Sequence, residues 1–232
     1  IMQLSNDTLE VLKNFASINP NLVIEPGQAI GTISESKTIM AKSEIVEDFP
    51  NQVGIYDLNE FLSVLSLIEN SNIEFEDKYL QVNSNVGGCK LPNQQKVTYY
   101  YSNPEILTTP TKEITMPSTD CGVTLDSEVI NKIKQAAGVL GHTDLSITGN
   151  DGKIMARIFD AKDATANDFT LEIESDNTTK GEFNFDFNIS NLKIIAGDYF
   201  VSLSEKKISH WQNTNFPIEY FVALEQTTKF SA

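Results

Sequence analysis

Apolar and polar side chains alternate with a period of two along much of this 232-residue chain, most clearly in its second half. Between residues 183 and 189 every second side chain is apolar, and the residues between them are Asn or Asp. The same alternation covers residues 169–173. Because successive side chains of a strand point to opposite faces, the pattern predicts strands with one buried face and one solvated face. Shorter alternating segments predict further strands around residues 30–33, 39–45, 73–75, 80–82, 145–147, 154–158, 199–203 and 220–224.

Four short helices are predicted among these strands, each from a capping side chain followed by apolar residues at helical spacing. The predicted caps are Ser5, Asp57, Asp126 and Ser190. The residue before each cap is apolar and precedes another apolar residue by five positions, which is the spacing of a hydrophobic staple. The mixture of strands and helices predicts an α+β fold.

The order of these elements suggests an internal duplication. Each half contains a helix, several strands, a second helix directly after a strand, and further strands. The first helices are 121 residues apart, from Leu4 to Leu125, and the second helices 133 residues apart, from Tyr56 to Ile189. Residues 101–117, rich in proline and threonine, indicate an extended connector. We expect two similar domains, residues 2–109 and 110–230, although an α+β protein of this size can show such an order by accident.

The charge excludes one class of protein. The chain has 17 basic and 32 acidic residues, a formal charge of −15. A protein that wraps nucleic acid by neutralising phosphates over its whole surface needs the opposite sign. The sequence contains no run of 18 apolar residues and no signal peptide, so we expect a cytoplasmic protein with no membrane partner. Because Ile1 precedes Met2, we expect the natural chain to begin at Met2.

Recognisable catalytic and cofactor-binding motifs are absent. His142 and His210 belong to no zinc-binding HExxH motif, and the chain has neither a Gly-x-Ser-x-Gly elbow nor a phosphate-binding glycine loop. Asp160, Asp163 and Asp168 lack the pattern of a calcium loop. We therefore expect no enzyme, no metal and no cofactor. A nuclease with acidic metal ligands remains the third-ranked function, because the many carboxylates can meet in space in many ways.

The scarce positive charge includes lysines on the polar sides of two predicted helices. Lys13 lies on the first helix, and Lys132 and Lys134 lie on the third. At 100° per residue, the last two stand about 100° to either side of the apolar stripe and flank the neutral residues Asn131 and Gln135. From spacing alone, the simplest interpretation is that these are solvent-exposed lysines of ordinary amphipathic helices.

Several segments resemble the DNA sliding clamps, or DNA polymerase processivity factors, of tailed bacteriophages. Residues 4–19 are similar to the first helix of that family, and residues 55–67 to its second helix. Residues 183–193, 197–199 and 220–225 resemble its closing segments, whereas residues 76–118 are the least similar.

The resemblance implies two similar clamp-type domains, each an antiparallel sheet with two helices, and three chains that close head to tail into a ring around duplex DNA. Such a homotrimer binds DNA without regard to sequence and tethers a DNA polymerase for processive synthesis. It is opened by a separate ATP-dependent clamp loader, in the cytoplasm of an infected bacterial cell. A ring also explains how an acidic chain serves on DNA, because threading retains it and only the inner lysines meet phosphates.

Two sets of site residues follow from the resemblance. The DNA-facing positions of the family correspond to Lys13, Asn14, Lys132, Lys134 and Lys193. A pocket for partner peptides beneath the interdomain connector corresponds to Ile106, Leu107, Pro217, Ile218 and Tyr220. For each pocket residue, plain core packing is the alternative. The alternative function is a β-rich viral structural protein with no DNA-encircling role, which also fits the alternation, the acidity and the missing motifs.

Overall fold

The structure is a computed structural model that describes residues 1–84, 94–150, 152–174 and 181–231. The chain forms two compact units, Ile1–Lys112 and Glu113–Ala232. Both units consist of antiparallel strands with a few short helices.

The first unit opens with a helix and continues with paired strands. Its elements are α1 (Asn6–Ile18), β1 (Leu22–Ile24), β2 (Gly27–Ile33), β3 (Ile39–Phe49), β4 (Val53–Ile55), α2 (Leu58–Ser66), β5 (Asn72–Phe75), β6 (Tyr79–Asn83) and β7 (Lys96–Tyr100). Strand β1 pairs with β4 and β2 with β3, while β5, β6 and β7 form a three-stranded sheet. A 3₁₀ turn, Pro104–Ile106, follows in the connector.

The second unit also places a helix near its start. Its elements are β8 (Cys121–Leu125), α3 (Ser127–Leu140), β9 (Asp144–Asn150), β10 (Lys153–Phe159), β11 (Phe169–Ile173), β12 (Glu182–Asn188), a second 3₁₀ turn (Ile189–Asn191), β13 (Tyr199–Ser204), β14 (Ile208–Asn213), β15 (Ile218–Ala223) and β16 (Lys229–Ser231). One antiparallel sheet has the order β11-β10-β9-β12-β16, and strands β8, β13, β14 and β15 are neighbours in that order in another.

Three of the four predicted helix caps are confirmed. Ser5 Oγ accepts a hydrogen bond from the Thr8 amide at 3.2 Å, and Asp126 Oδ1 accepts one from the Val129 amide at 2.7 Å. Asp57 caps α2 in the same way. These side chains satisfy amide groups that the first helical turn leaves without intrahelical partners. None of the helices in the described part of the chain is long and apolar enough to span a bilayer.

The fourth predicted helix, beginning at Ser190, is wrong. The described residues of the second unit contain one α-helix, and at this position the chain makes only the 3₁₀ turn Ile189–Asn191. Asn188 is the cap, because its side chain accepts from the Ser190 amide at 3.0 Å. Ile194 and Ile195 are then both buried, although they are adjacent in sequence. The Leu192 amide donates to the Ile189 carbonyl at 3.0 Å and the Lys193 amide donates to the Asn191 carbonyl at 2.9 Å. These bonds span three and two residues instead of the four of an α-helix, so the segment stays a tight turn.

The core of the second unit is aromatic. Trp211, Tyr199, Tyr220 and Phe187 are fully buried, and the Trp211 ring meets those of Phe187 and Tyr199 edge to face at 5.8 Å and 6.1 Å between centroids. Such contacts add to the free energy gained from the large apolar area that these rings bury. Helix α1 packs against α2 and β3, and α3 packs against β10.

Candidate nucleic-acid interface

Helix α1 has one buried face and one polar face. Val11, Leu12 and Phe15 are buried. Lys13 is exposed on the opposite side, and Asn14 beside it is partly buried. The exposed residues of this helix are Asn6, Asp7, Glu10, Lys13 and Ser17, and from Asp7 onward they are three or four positions apart.

Helix α3 presents a longer polar face. Its buried residues are Ile130, Ile133, Ala136 and Ala137. On the other side the exposed residues are Glu128, Asn131, Lys132, Gln135, Gly138 and Val139. This surface combines one exposed cation with two amides and the carboxylate of Glu128, which suits weak contact with a phosphate backbone.

The structure distinguishes the two lysines that the sequence placed symmetrically. Lys132 is exposed, whereas Lys134 is partly buried, and removal of water by burial lowers the pKa of Lys134 from its usual value. Ile130 and Ala137 are both buried and lie on the Lys134 side of the stripe, so the packed face is displaced toward that residue. Lys132 is therefore the more accessible cation of α3.

Lys193 does not lie on a helix. It comes two residues after the second 3₁₀ turn, between the buried residues Leu192 and Ile194. Lys193 itself is exposed, and its backbone amide donates to the Asn191 carbonyl at 2.9 Å. The second unit thus brings Lys132 and Lys134 together on one helix and places Lys193 on an irregular segment.

Both outward helix faces also carry a glutamate close to the exposed lysine. Glu10 precedes Lys13 by three residues, and Glu128 precedes Lys132 by four. All four residues are exposed. Residues at these separations are neighbours on a helix surface. The site residues predicted from sequence did not include the two glutamates. Their spacing from the lysines was enough to predict that they lie beside them on the helix surface.

The residues predicted to form a partner pocket divide into exposed and buried ones. Ile106 is 67% exposed, and Pro217 is also exposed. Leu107 is only 7% exposed, and Ile218 and Tyr220 are buried in strand β15. The Tyr220 hydroxyl accepts a hydrogen bond from the Ile195 amide at 3.0 Å, so this side chain is a structural part of the second unit.

The first part of the connector is held against the first unit. The Ser102 amide donates to the Gly54 carbonyl at 2.9 Å, and the Thr108 amide donates to Asn21 Oδ1 at 3.1 Å. The buried Asn19 side chain donates to the Thr108 carbonyl at 3.0 Å. Residues 102–108 therefore have fixed positions, and the exposed Ile106 is presented by an anchored segment.

The histidines have neighbours in the second unit. His210 Nε2 lies 2.6 Å from Glu219 Oε2, and the His210 ring stacks on Phe221 with 4.4 Å between centroids. His142 Nε2 lies 2.8 Å from the Asn167 carbonyl oxygen. Among the described residues, no group of three or more His, Cys, Asp or Glu side chains is arranged to hold a metal ion.

Comparison with solved structures identifies the fold. Proliferating Cellular Nuclear Antigen from Entamoeba histolytica aligns with a TM-score of 0.67 at 15% identity, over 94% of this chain and 95% of that one. A putative DNA polymerase III beta subunit from Eubacterium rectale aligns with a TM-score of 0.67 at 14% identity, over 97% of this chain and 65% of that one. The chain thus has a two-domain clamp fold built mostly from antiparallel sheet, which confirms the fold class predicted from sequence.

Sequence comparison narrows the class to a family. Residues 5–90 match the family model of the DNA polymerase processivity factor, and residues 122–226 match that of the gp45 sliding clamp, C terminal. A sliding clamp of Vibrio phage KVP40 is 34% identical over 97% of this chain and 99% of its own length. A sliding clamp of Enterobacteria phage T4 is 30% identical over 88% of each chain. The chain belongs to the family of phage sliding clamps that serve as DNA polymerase processivity factors. This confirms the predicted function, and the alternative of a viral structural protein is not supported.

Proposed function

We propose that three copies of this chain close head to tail around duplex DNA and tether the replicative polymerase of a phage. The ring acts in the cytoplasm of the infected bacterium, is opened by an ATP-dependent loader and has no catalytic activity of its own. The full-length match to sliding clamps carries this proposal. The polar helix faces and the charge of −15 support it, because a ring that is threaded on DNA needs little adhesion.

In this proposal the two domains are residues 2–109 and 110–230. The division of the chain into compact units after Lys112 supports a boundary near residue 110. Lys13, Asn14, Lys132, Lys134 and Lys193 face the DNA. Lys13 and Lys132 make the principal phosphate contacts because they are exposed on helix faces. Lys134 makes the lesser contribution, because it is partly buried.

We assign the partner-peptide role to the predicted set of connector and β15 residues. Ile106 and Pro217 are the exposed members of this set and so are the ones that a partner peptide can contact. Leu107, Ile218 and Tyr220 are buried, each within its own unit. The anchored connector favours such a site, since a rigid surface loses less conformational entropy on binding.

Two unpaired strand edges support head-to-tail assembly. Strand β7 ends the sheet β5-β6-β7, and β11 ends the sheet of the second unit, within the described part of the chain. Strand β7 exposes Lys96 and Tyr100, and β11 exposes Glu172. A head-to-tail contact joins two different surfaces of the same chain. Lys96 and Glu172 give these two edges side chains of opposite charge, and the Glu172 carboxylate also lies 3.8 Å from Lys153 Nζ on β10.

Retention on DNA tests encirclement directly. Rings are loaded by the phage clamp loader onto a nicked circular duplex, and bound clamp is followed after the circle is cut once. We expect stable retention on the nicked circle and rapid loss after cutting, because a threaded ring slides off an end. Bulky proteins bound at both ends of the linear product restore retention. Escape at the same rate from the nicked circle, the open linear duplex and the blocked duplex contradicts the proposal.

A further inference from the structure

The exposed lysine on each outward helix face follows an exposed glutamate by one helical turn. The pairs are Glu10 with Lys13 on α1 and Glu128 with Lys132 on α3, one in each unit. We infer that Glu10 and Glu128 weaken the phosphate contacts of Lys13 and Lys132 and so keep the ring mobile on DNA. This inference rests on the proposed function, because it requires that these helix faces meet the duplex.

The geometry makes each glutamate a competitor for its lysine. Side chains three or four residues apart on a helix have Cβ atoms about 5–6 Å apart, well inside the screening length of physiological salt. All four side chains are exposed, so both members of a pair can reach solvent and an approaching phosphate. The carboxylate attracts the ammonium group and repels the phosphate. Each pair therefore presents an ammonium group to the phosphate, while the net charge of the pair as a whole is close to zero.

The helix dipole does not account for both glutamates. Glu128 lies in the first turn of α3, where a carboxylate also interacts favourably with the helix dipole. Glu10 lies in the second turn of α1, whose first turn already contains Asp7. The dipole effect falls off within the first turn. The feature that Glu10 and Glu128 share is their position beside an exposed lysine.

The test is a gain in DNA contact after a glutamate is removed. Rings of the double variant Glu10→Gln, Glu128→Gln are loaded on stretched duplex DNA, and one-dimensional diffusion is followed by single-molecule fluorescence. We expect each substitution to slow diffusion by about twofold and the double variant by about fourfold at low salt. The difference from the native ring should shrink as salt is raised, because screening weakens both attractions.

Glu44→Gln is the matched control for net charge. Glu44 is exposed on β3, whereas its neighbours Ser43 and Ile45 are buried. Glu47, two residues beyond Ile45 on the buried face, bonds to α1 through Thr8. Because side chains alternate along a strand, Glu44 lies on the sheet face opposite α1. The same change in net charge there should leave diffusion at the native rate.

Two lysine variants separate this inference from the proposed function. Lys13→Gln and Lys132→Gln should speed diffusion, because they remove phosphate contacts. If they do so while the double glutamine variant diffuses like Glu44→Gln, the helix faces meet DNA and the inference about the glutamates is overturned. If none of the variants alters diffusion, both the inference and the DNA-facing assignment fail. Thermal unfolding of every variant establishes that the rings compared are folded.

Discussion

Glu47 is a buried carboxylate on β3 that holds the start of α1. It is only 8% exposed and accepts hydrogen bonds from the Ser5 amide and the Thr8 hydroxyl. Burial by itself raises the pKa of Glu47, but the hydrogen bonds from Thr8 and Ser5 outweigh it and hold the pKa below its usual value of 4.5. A folded-state pKa below the unfolded value means that the carboxylate stabilises the fold above about pH 4.5 and that this contribution disappears as pH falls through the folded-state pKa.

We therefore expect Glu47→Gln to lower the free energy of unfolding by about 1–3 kcal/mol at pH 7, because a neutral amide replaces a carboxylate that accepts two hydrogen bonds. Below the folded-state pKa the native protein loses the same contribution, so the difference between the two proteins should shrink. Urea unfolding at pH 7 and at successively lower pH measures both effects. Glu44→Gln, on the exposed face of the same strand, should stay within about 0.5 kcal/mol of the native protein. A Glu47→Gln protein as stable as the native one at pH 7 contradicts this account.

Residue roles were predictable where they depend on local spacing alone. Helical periodicity placed Lys13 and Lys132 on polar faces, where the structure has them. Periodicity did not predict that Lys132 is exposed and Lys134 partly buried. The angular position of a residue about the helix axis does not show how far the rest of the domain covers that side of the helix. The role of Glu47 was not predictable, since its partners lie 39 and 42 residues away in sequence.

At the scale of elements, three of the four helix starts were predictable, because a cap and its partner amide lie within three residues of one another. Strand β14 was missed because its buried face is not uniformly apolar. Ser209 lies on that face next to Trp211, donates to the Val222 carbonyl at 2.8 Å and accepts from Trp211 Nε1 at 3.0 Å. A buried serine with both partners satisfied breaks the alternation in sequence without breaking the strand.

Glycine at position 54 allows the connector to approach β4. A Cβ built on Gly54 would stand 2.2 Å from the Ser102 carbonyl oxygen, which is backbone and cannot move alone. Gly138 on α3 has open space around its Cβ position and is exposed. Substitution by alanine should therefore change the stability of the chain in opposite directions at these two glycines.

We expect Gly54→Ala to destabilise the chain by about 1–3 kcal/mol or more and to loosen residues 102–108. Gly138→Ala should stabilise it by about 0.5–1 kcal/mol, because alanine favours a helix. Denaturant unfolding gives the stabilities, and hydrogen exchange at Ser102 and Thr108 reports on the connector. If Gly54→Ala is as stable as the native chain and hydrogen exchange at Ser102 and Thr108 is unchanged, the connector does not approach β4 as closely as described.

At the scale of the whole molecule, the repeated order of helices and strands suggested an internal duplication before any similarity was considered, although an α+β protein of this size can show such an order by accident. The assembly of chains was not accessible in the same way. The sequence of an edge strand looks like that of any other strand, because the absence of a neighbouring strand on one side leaves no local pattern. The charges on β7 and β11 become informative only once the sheet order shows that both are edges.

The proposed three-membered ring predicts the size of the assembly, and these edges predict the chemistry of its contacts. Light scattering over a dilution series should give a limiting mass of three times 25.8 kDa, about 77 kDa, because a head-to-tail contact that closes stops growing. Lys96→Glu places like charge opposite Glu172 and should weaken each contact by about threefold, so that dissociation occurs at higher concentration. The double variant Lys96→Glu, Glu172→Lys restores opposite charges and should recover the native midpoint. A chain that stays monomeric or grows without limit contradicts ring closure, and a double variant as weak as the single one shows that the two edges do not meet.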